Sequence, residues 1–176
     1  MGRPKAWFEV GDTYLLRYVA SRLAPAFTDV MVSFAEPEQL EQPVPYRIVF
    51  DRKRAGGPLA GIEAGLAAAR EEVMFAVACD MPYVTVDLAQ AAVAAARSCD
   101  AAIPRIDGRA EPVCGAYRRT ALFAIAAALD AGRFRAADIA ESLDVTWLEG
   151  LDAAQFRSLN APADLARFDG EFSSQR

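Results

Sequence analysis

Residues 73–79 form a near-continuous apolar run that stops abruptly at Asp80, Met81 and Pro82. Such a run is typical of a strand that is buried on both faces, as strands are in the parallel sheets of α/β proteins. Pro82 ends the run because proline has no backbone N–H for a further ladder bond. We therefore expect a sheet covered by helices, with Asp80 just beyond the carboxyl end of one strand.

The rest of the chain alternates between strand and helix patterns. The segments predicted as helices, from helical spacing or alanine content, are 13–23, 58–70, 86–97, 120–131 and 163–168. The segments predicted as strands are 29–34, 46–50, 73–79, 101–104, 113–117 and, as a short edge strand, 144–148. This order predicts an α/β fold with three layers and a doubly wound, mostly parallel sheet.

The size and charge of the chain limit its class. It has 176 residues without an internal repeat or a linker-like stretch, so we expect a single domain over residues 1–176. No apolar stretch approaches the length of a membrane span or of a signal peptide, which predicts a cytoplasmic protein without a membrane partner. The net charge of −5 lacks the basic footprint of nucleic-acid-binding proteins, so no nucleic-acid partner is expected.

The chain contains no histidine, which excludes Ser-His and Cys-His nucleophile pairs and histidine-based zinc sites. Its three cysteines, Cys79, Cys99 and Cys114, lie in apolar surroundings and lack the close spacing of a metal or redox site. We interpret them as reduced core thiols. Any chemistry must therefore depend on carboxylates, lysine, arginine and a metal ion.

Two acidic side chains, Asp51 and Asp80, each follow a predicted strand. In doubly wound sheets, ligands bind at the carboxyl ends of the strands. Between the two aspartates lie the basic residues 52–54 and a glycine-rich turn, 56–61, that precedes a helix and offers free backbone N–H groups to an anion. Because carboxylate oxygens suit Mg²⁺, this pattern predicts a site for a phosphorylated ligand and a divalent cation.

Each of these features also has a simpler structural interpretation. Asp80 is compatible with a turn or a helix cap, and Asp51 with a solvated turn. The glycines of 56–61 are compatible with close packing alone. Lys5 fits a solvated chain start, and Asn160 fits the N-cap of the closing helix.

Taken together, the motifs resemble those of the molybdenum cofactor guanylyltransferase family. The resemblance covers nearly the whole chain and implies a Rossmann-like nucleotidyltransferase fold. The motifs that carry it, in chain order, are Met1-Gly2-Arg3-Pro4-Lys5, Asp51, Gly57-Pro58-Leu59-Ala60-Gly61, Cys79-Asp80-Met81-Pro82 and Ser158-Leu159-Asn160-Ala161-Pro162.

The family transfers GMP from GTP to the terminal phosphate of molybdopterin and releases pyrophosphate, so the resemblance implies GTP and molybdopterin as partners and Mg²⁺ as cofactor. Asp80 would hold the metal and the nucleotide, and Lys5 would contact the phosphates; these are the two implied catalytic residues. Asp51 would bind the nucleotide together with Ser33, which stands where the family usually has asparagine.

The resemblance also implies three residues that bind substrate. These are Gly57, Pro58 and Asn160, the last toward the molybdopterin side. Molybdoenzymes and other proteins of cofactor biosynthesis are the protein partners that the family implies.

The chain departs from the family at its start. The family opens with a hydrophobic strand and the loop Leu-Ala-Gly-Gly-x-x-x-Arg-Met-Gly-x-x-Lys, of which only Met-Gly-x-x-Lys is present here. That strand would be central in the sheet, and its neighbours would lose a partner, so a chain that starts at Met1 is expected to be unstable or inactive. Our hypothesis is that Met1 is an internal methionine of a longer reading frame.

Three other functions remain open on the sequence alone. A cytidylyltransferase acting on the same cofactor shares most of the motifs, because base choice depends largely on the loop that is absent. An inactive relative that still binds nucleotide is a second alternative. A flavodoxin-like binding module is disfavoured, because no aromatic pair flanks the strand ends.

Overall fold

The computed structural model describes residues 4–160 and 164–168. The strands are β1 (Glu9–Val10), β2 (Thr13–Tyr14), β3 (Met31–Phe34), β4 (Arg47–Phe50), β5 (Val73–Val77), β6 (Ala101–Ile106), β7 (Arg109–Ala110), β8 (Cys114–Arg118) and β9 (Val145–Leu148). The helices are α1 (Leu15–Leu23), α2 (Gly57–Ala68), α3 (Val86–Ala95), α4 (Leu122–Asp130) and α5 (Ala136–Ile139), and short 3₁₀ turns connect several elements. Residues 164–168 are also helical; positions 1–3 and 161–163, on which parts of two motifs fall, lie outside the described residues.

The helices cover the sheet on both sides, which confirms the α/β fold class. On one side, α2 and α4 bury Leu59, Leu66 and Ile125 against β6 and β8. On the other side, α1 and α3 bury Leu15 and Leu88 in a second cluster that includes the start of β8. The sequence produces this arrangement because α1 repeats its apolar residues at helical spacing, and because successive residues of a strand point to opposite faces.

The pairing of the strands is mixed, whereas the sequence predicted a mostly parallel sheet. β3 pairs with β4, and β6 with β9, in parallel. β8, however, lies antiparallel between β5 and β6. The reason is the turn at Asp107 and Gly108, both with positive φ, which returns the chain through β7 to β8 without the long crossover that a parallel strand needs. β5 and β6 still point the same way, so their carboxyl ends share one edge.

A cavity separates β3 from β5 and divides the sheet into two parts. It has a volume of about 510 Å³, and both strands line it together with parts of α1 and α2. Within residues 4–160 and 164–168, β3 pairs only with β4 and β5 only with β8. The cavity therefore lies where the first strand of the family was expected, between two strand edges whose backbone groups have no ladder partner.

The exposure of β5 corrects the sequence analysis. The apolar run at 73–79 predicted a strand buried on both faces, but all five residues of β5 are partly exposed. The open cavity explains this, since it removes the neighbour on one side of the strand. In the part of the chain that the structure describes, no helix combines the length and the apolar character that crossing a membrane requires.

The divided sheet leads to a stability prediction. We expect that a designed five-residue apolar strand, joined by a short loop ahead of Met1, will raise the melting temperature by about 4–8 °C. The reason is that ~2 kcal/mol from apolar burial and new ladder bonds corresponds to such a shift in a domain of this size. Scanning calorimetry measures the shift, and amide hydrogen exchange of β3 and β5 localises it.

The matched control carries a glycine-serine segment of equal length at the same place, because it adds chain without an apolar strand. Equal melting temperatures for the two fusions, with unchanged exchange in β3 and β5, would contradict the prediction. Pro4 and Lys5 line the cavity, so the added loop has only a short distance to cross.

Candidate functional site

Three predicted site residues from distant parts of the chain meet at one point. The Nζ atom of Lys5 donates a hydrogen bond to Oδ2 of Asp80 over 2.8 Å and another to Oδ1 of Asn160 over 2.5 Å. The side chain of Asp80 is 19% exposed and that of Lys5 37% exposed, so the ion pair is partly shielded and still reachable from solvent. The structure thus brings the first, fourth and last of the five motifs together.

The backbone around Asp80 is held from three directions. The N–H of Ala78 donates to the carbonyl of Val113 over 2.9 Å, and the N–H of Leu159 donates to the carbonyl of Asp80 over 2.8 Å. The guanidinium of Arg22, on α1, donates to the carbonyl of Pro82. Asp80 does not cap α3, because Thr85 is the N-cap and accepts from the helix backbone. The position of this carboxylate is therefore set by β8, α1 and the segment before Asn160.

Lys5 is held in place by its neighbour Trp7. The Trp7 side chain is fully buried, stacks on Phe34 with ring centroids 5.9 Å apart, and donates from Nε1 to the carbonyl of Gln39 over 2.6 Å. Because Lys5 and Trp7 belong to the same 3₁₀ turn, this anchor also fixes the backbone of Lys5. Lys5 is thus part of an ordered contact, and its interpretation as a merely solvated side chain is wrong.

Two further predicted residues, Ser33 and Asp51, form a second polar pair. Oγ of Ser33 donates to Oδ1 of Asp51 over 2.5 Å, and the N–H of Asp51 donates to the carbonyl of Phe34 over 3.0 Å. The parallel register of β3 and β4 pairs Phe34 with Phe50, which brings the two strand ends side by side. A Cβ added to Gly61 would lie 3.4 Å from Oγ of Ser33, so this glycine allows α2 to approach the pair closely.

Burial changes the ionisation of two groups near the site. Partial burial raises the pKa of Asp51; the hydrogen bond from Ser33 acts in the opposite direction, and the charge of Glu63 raises the pKa further. Burial, aided by the charge of Asp80, raises the pKa of the Cys79 thiol to about 11. Cys79 is therefore a neutral thiol at physiological pH, and all three cysteines are free, as the sequence predicted.

The glycine-rich turn forms the start of α2. Gly57 has a φ of +58°, which lies in the left-handed region that favours glycine, and Pro58 occupies the first turn of the helix. Gly56, at the N-cap, makes no side-chain cap bond, so the first N–H groups of α2 remain available to an anion. Both Gly57 and Pro58 are exposed, which suits contact with a ligand.

The cavity that divides the sheet borders several of these groups. Its lining includes Lys5 and Cys79 on the side of β5, and Ser33, Pro58 and Gly61 on the side of β3. The carboxylates of Asp80 and Asp51 lie outside this lining and contact Lys5 and Ser33. Such groups can bind a phosphorylated molecule and a cation, but the individual roles assigned to these residues remain predictions.

A set of ion pairs beside this site was not predicted from the sequence. The basic residues 52–54 were interpreted as a local positive cluster, but Arg52 binds Glu63 and Asp130, and Lys53 also lies against Asp130. Their charges are thus engaged within the protein. One signal was present in the sequence, because Glu63 is the single acidic residue in the otherwise apolar helix α2.

The chain matches a known family over most of its length. Residues 1–145 match the family model described as the MobA-like NTP transferase domain. A probable molybdenum cofactor guanylyltransferase from Pelotomaculum thermopropionicum is 32% identical over 174 residues, which cover 95% of this chain and 84% of that protein.

Two solved structures share the fold. Molybdopterin-guanine dinucleotide biosynthesis protein A from Archaeoglobus fulgidus superposes with a TM-score of 0.82 at 23% identity, over 98% of this chain and 91% of that chain. The 2-C-methyl-D-erythritol 4-phosphate cytidylyltransferase from Thermus thermophilus superposes with a TM-score of 0.71 at 22% identity, over 97% and 94%.

The chain has a mixed sheet between two helical layers, an aspartate beyond a strand end and a glycine-rich helix start. This is the architecture of a nucleotidyltransferase. The extent of the sequence match then narrows the class. This chain belongs to the MobA-like NTP transferase family. The resemblance found in the sequence is thereby confirmed.

The ionisation of Asp51 gives a prediction for stability against pH. Its pKa is raised above the ordinary aspartate value of 3.8, so the folded state holds the proton more tightly than the unfolded state does. The contribution to stability is therefore fully present below pH 3.8 and is lost as the pH rises through the folded-state pKa. We expect Asp51→Asn to abolish this pH-dependent loss. The free energy of unfolding of the variant should therefore rise, relative to that of the unaltered chain, as the pH increases from 3.5 to 7.

Urea unfolding at a series of pH values measures this difference. Asp107→Asn is the matched control, because it makes the same change at an exposed turn whose positive φ asparagine tolerates. The prediction is wrong if the stability difference between Asp51→Asn and the unaltered chain stays constant over this range, or follows that of the control.

Proposed function

We propose that this chain transfers GMP from GTP to the terminal phosphate of molybdopterin, in the cytoplasm, with release of pyrophosphate and with Mg²⁺ as cofactor. The observation that carries the proposal is the meeting of Lys5, Asp80 and Asn160 in one cluster of hydrogen bonds beyond the end of β5. Two relatives of this chain are named probable molybdenum cofactor guanylyltransferases, which supports the choice of substrates.

The residues at the site fit a magnesium ion that is shared with a nucleotide. Magnesium is usually bound through one or two carboxylates together with substrate phosphates and water. Asp80 supplies one partly exposed carboxylate, which accepts a hydrogen bond from the ammonium group of Lys5. Within residues 4–160 and 164–168, no three Asp, Glu or Cys side chains cluster into an all-protein cage, so the phosphates would complete the coordination. When bound, the ion would neutralise negative charge on the phosphates.

Each predicted site residue has a role in this proposal. Asp80 holds the metal, and Lys5 orients the phosphates by its positive charge. Ser33 and Asp51 hold the nucleoside part of GTP, and the start of α2 at Gly57 and Pro58 contacts the substrate through its backbone. Asn160, which lies against Lys5, contacts molybdopterin. The attacking oxygen belongs to the molybdopterin phosphate, so the protein needs no nucleophile of its own, which agrees with a neutral Cys79 thiol.

Asp80 provides the direct test of the proposal. We expect Asp80→Asn to lower GMP transfer from GTP at least about 100-fold, because the metal loses its protein ligand and the charge on the phosphates is less well neutralised. Transfer is measured as pyrophosphate release that depends on both molybdopterin and Mg²⁺. The measurement is made on this chain and on the fusion that carries the designed strand.

Asp107→Asn again serves as the control, since it changes an exposed turn carboxylate to the same amide. It should keep full activity. Equal rates for Asp80→Asn and Asp107→Asn would refute the role of Asp80. Nucleotide binding without any transfer, in both forms of the chain, would favour the alternative of an inactive nucleotide-binding relative.

The choice between GTP and CTP forms a second prediction. We expect kcat/KM for GTP to exceed that for CTP at least tenfold, because relatives that are 29%, 32% and 31% identical to this chain are named guanylyltransferases. The likeness to a cytidylyltransferase is at 22% identity and concerns the fold alone. Competition between the two nucleotides in one reaction gives the ratio directly, and a ratio below one would establish the cytidylyltransferase alternative.

A further inference from the structure

Glu63 is a buried charge that the proposed reaction does not use. It lies in the second turn of α2 and is 6% exposed; among the described residues it is the one charged side chain in the buried core. A carboxylate can be buried at this depth only if it is paired and hydrogen-bonded. Its partner and the place of that partner in the fold therefore indicate what Glu63 does.

The partner is Arg52, the residue that directly follows Asp51. Nε of Arg52 donates to Oε1 of Glu63 over 2.9 Å, while Nη1 of the same guanidinium donates to Oδ1 of Asp130, at the end of α4, over 2.9 Å. Lys53 lies 3.1 Å from the same oxygen of Asp130. The side chain of Arg52 thus connects the loop after β4 to α2 and α4. Its contact with Glu63 is partly buried, and its contact with Asp130 is exposed.

The other end of the same loop is also held tightly. The N–H of Gly56 donates to the carbonyl of Lys53 over 2.9 Å. A Cβ added to Gly56 would lie 2.6 Å from Cβ of Ala60 and 3.1 Å from Cδ2 of Leu129, so the backbone here rests directly on α2 and α4. The loop 51–56 is therefore fixed at both ends, and those ends carry Asp51 and the first N–H groups of α2.

Stability alone does not require this ion pair. The carboxylate of Glu63 is buried while the side chain of Arg52 is 45% exposed, so burial costs one charge its hydration and water partly screens the attraction that offsets this cost. Glu63 lies in a helix whose other core positions are apolar, so an apolar residue would suit its surroundings. What an apolar residue cannot supply is a directed contact that fixes the angle at which the chain leaves β4.

We propose that Glu63 is a positioning residue for the nucleotide: through Arg52, it fixes the carboxylate of Asp51 and the N-terminus of α2 in the geometry that binds GTP. The inference rests on the proposed function for the identity of the ligand. Glu63 does not touch the nucleotide, and its effect passes through the backbone of residues 51–56.

The test compares three variants of the full chain. We expect Glu63→Met to raise KM for GTP about tenfold and to leave kcat within about twofold, since it disturbs binding geometry and leaves Asp80 in place. Arg52→Met removes the same contact and also the exposed contact with Asp130, so it should raise KM at least as much, and the double variant should be no worse than Arg52→Met alone. Glu149→Gln, in the exposed pair with Arg105, is the neutral control.

Two outcomes would overturn the proposal: an unchanged KM in Glu63→Met, or effects of Glu63→Met and Arg52→Met that multiply in the double variant. If Glu63→Met fails to fold, Glu63→Gln decides the question, because it keeps the shape and an acceptor oxygen but loses the charge. We expect about a threefold higher KM for it, with a melting temperature close to that of the unaltered chain, and an unchanged KM would overturn the proposal.

Hydrogen exchange separates this proposal from the proposed function. In the absence of any nucleotide, the amides of residues 51–57 should exchange at least tenfold faster in Glu63→Gln than in the unaltered chain, while those of β6 and β8 keep their protection. If the unaltered chain neither binds nor uses GTP, the proposed function fails, and the exchange rates still decide whether Glu63 fixes the loop. Equal exchange at 51–57 would overturn the role of Glu63 in either case.

Discussion

The contact between Lys5, Asp80 and Asn160 is the interaction on which the site depends. It joins residues that lie 75 and 155 positions apart, and so ties the first described residues and the segment that ends at Asn160 to the end of β5. The ion pair is too exposed to add much to stability, since such pairs contribute about 1 kcal/mol or less. Its importance is geometric: it places one positive and one negative group at a fixed distance beside the cavity.

The cavity between β3 and β5 interrupts the sheet beside the site. A continuous sheet would place β3 and β5 in one hydrogen-bonded ladder system, with Ser33 and Asp80 at a distance set by strand spacing. Here a cavity of about 510 Å³ lies between the two strands, and no strand of the described residues pairs with both. Unpaired strand edges expose backbone polar groups and invite pairing with other chains. The cavity also has a polar side chain on each side, Lys5 on the side of β5 and Ser33 on the side of β3.

The sequence predicted the order of the elements and the positions of Asp51 and Asp80 beyond strand ends, because apolar runs and their abrupt ends are local signals. It did not predict the antiparallel β8, although only residues 105–112 separate the two predicted strands, which is too few for the crossover that a parallel strand needs. The Arg52–Glu63 pair was not predicted either. Glu63 stood out within an apolar helix, but the residue that neutralises it lies on a loop and is brought there only by the packing of α2 against β4 and α4.

Helix α2 holds the Ser33–Asp51 pair in a fixed position relative to β5 and to Asp80 beyond its end. It packs against β3 and β4 on one side of the cavity and against β5 and α4 on the other. Its residues meet each part in a different way: Gly61 lies against the Ser33–Asp51 pair, and Gly65 lies against Met74 of β5. A shift of α2 along its axis would therefore move the nucleotide pair relative to Asp80. The buried charge of Glu63 opposes such a shift, because sliding the helix would separate it from Arg52 and leave a carboxylate buried without a partner, which is costly in a low-dielectric interior.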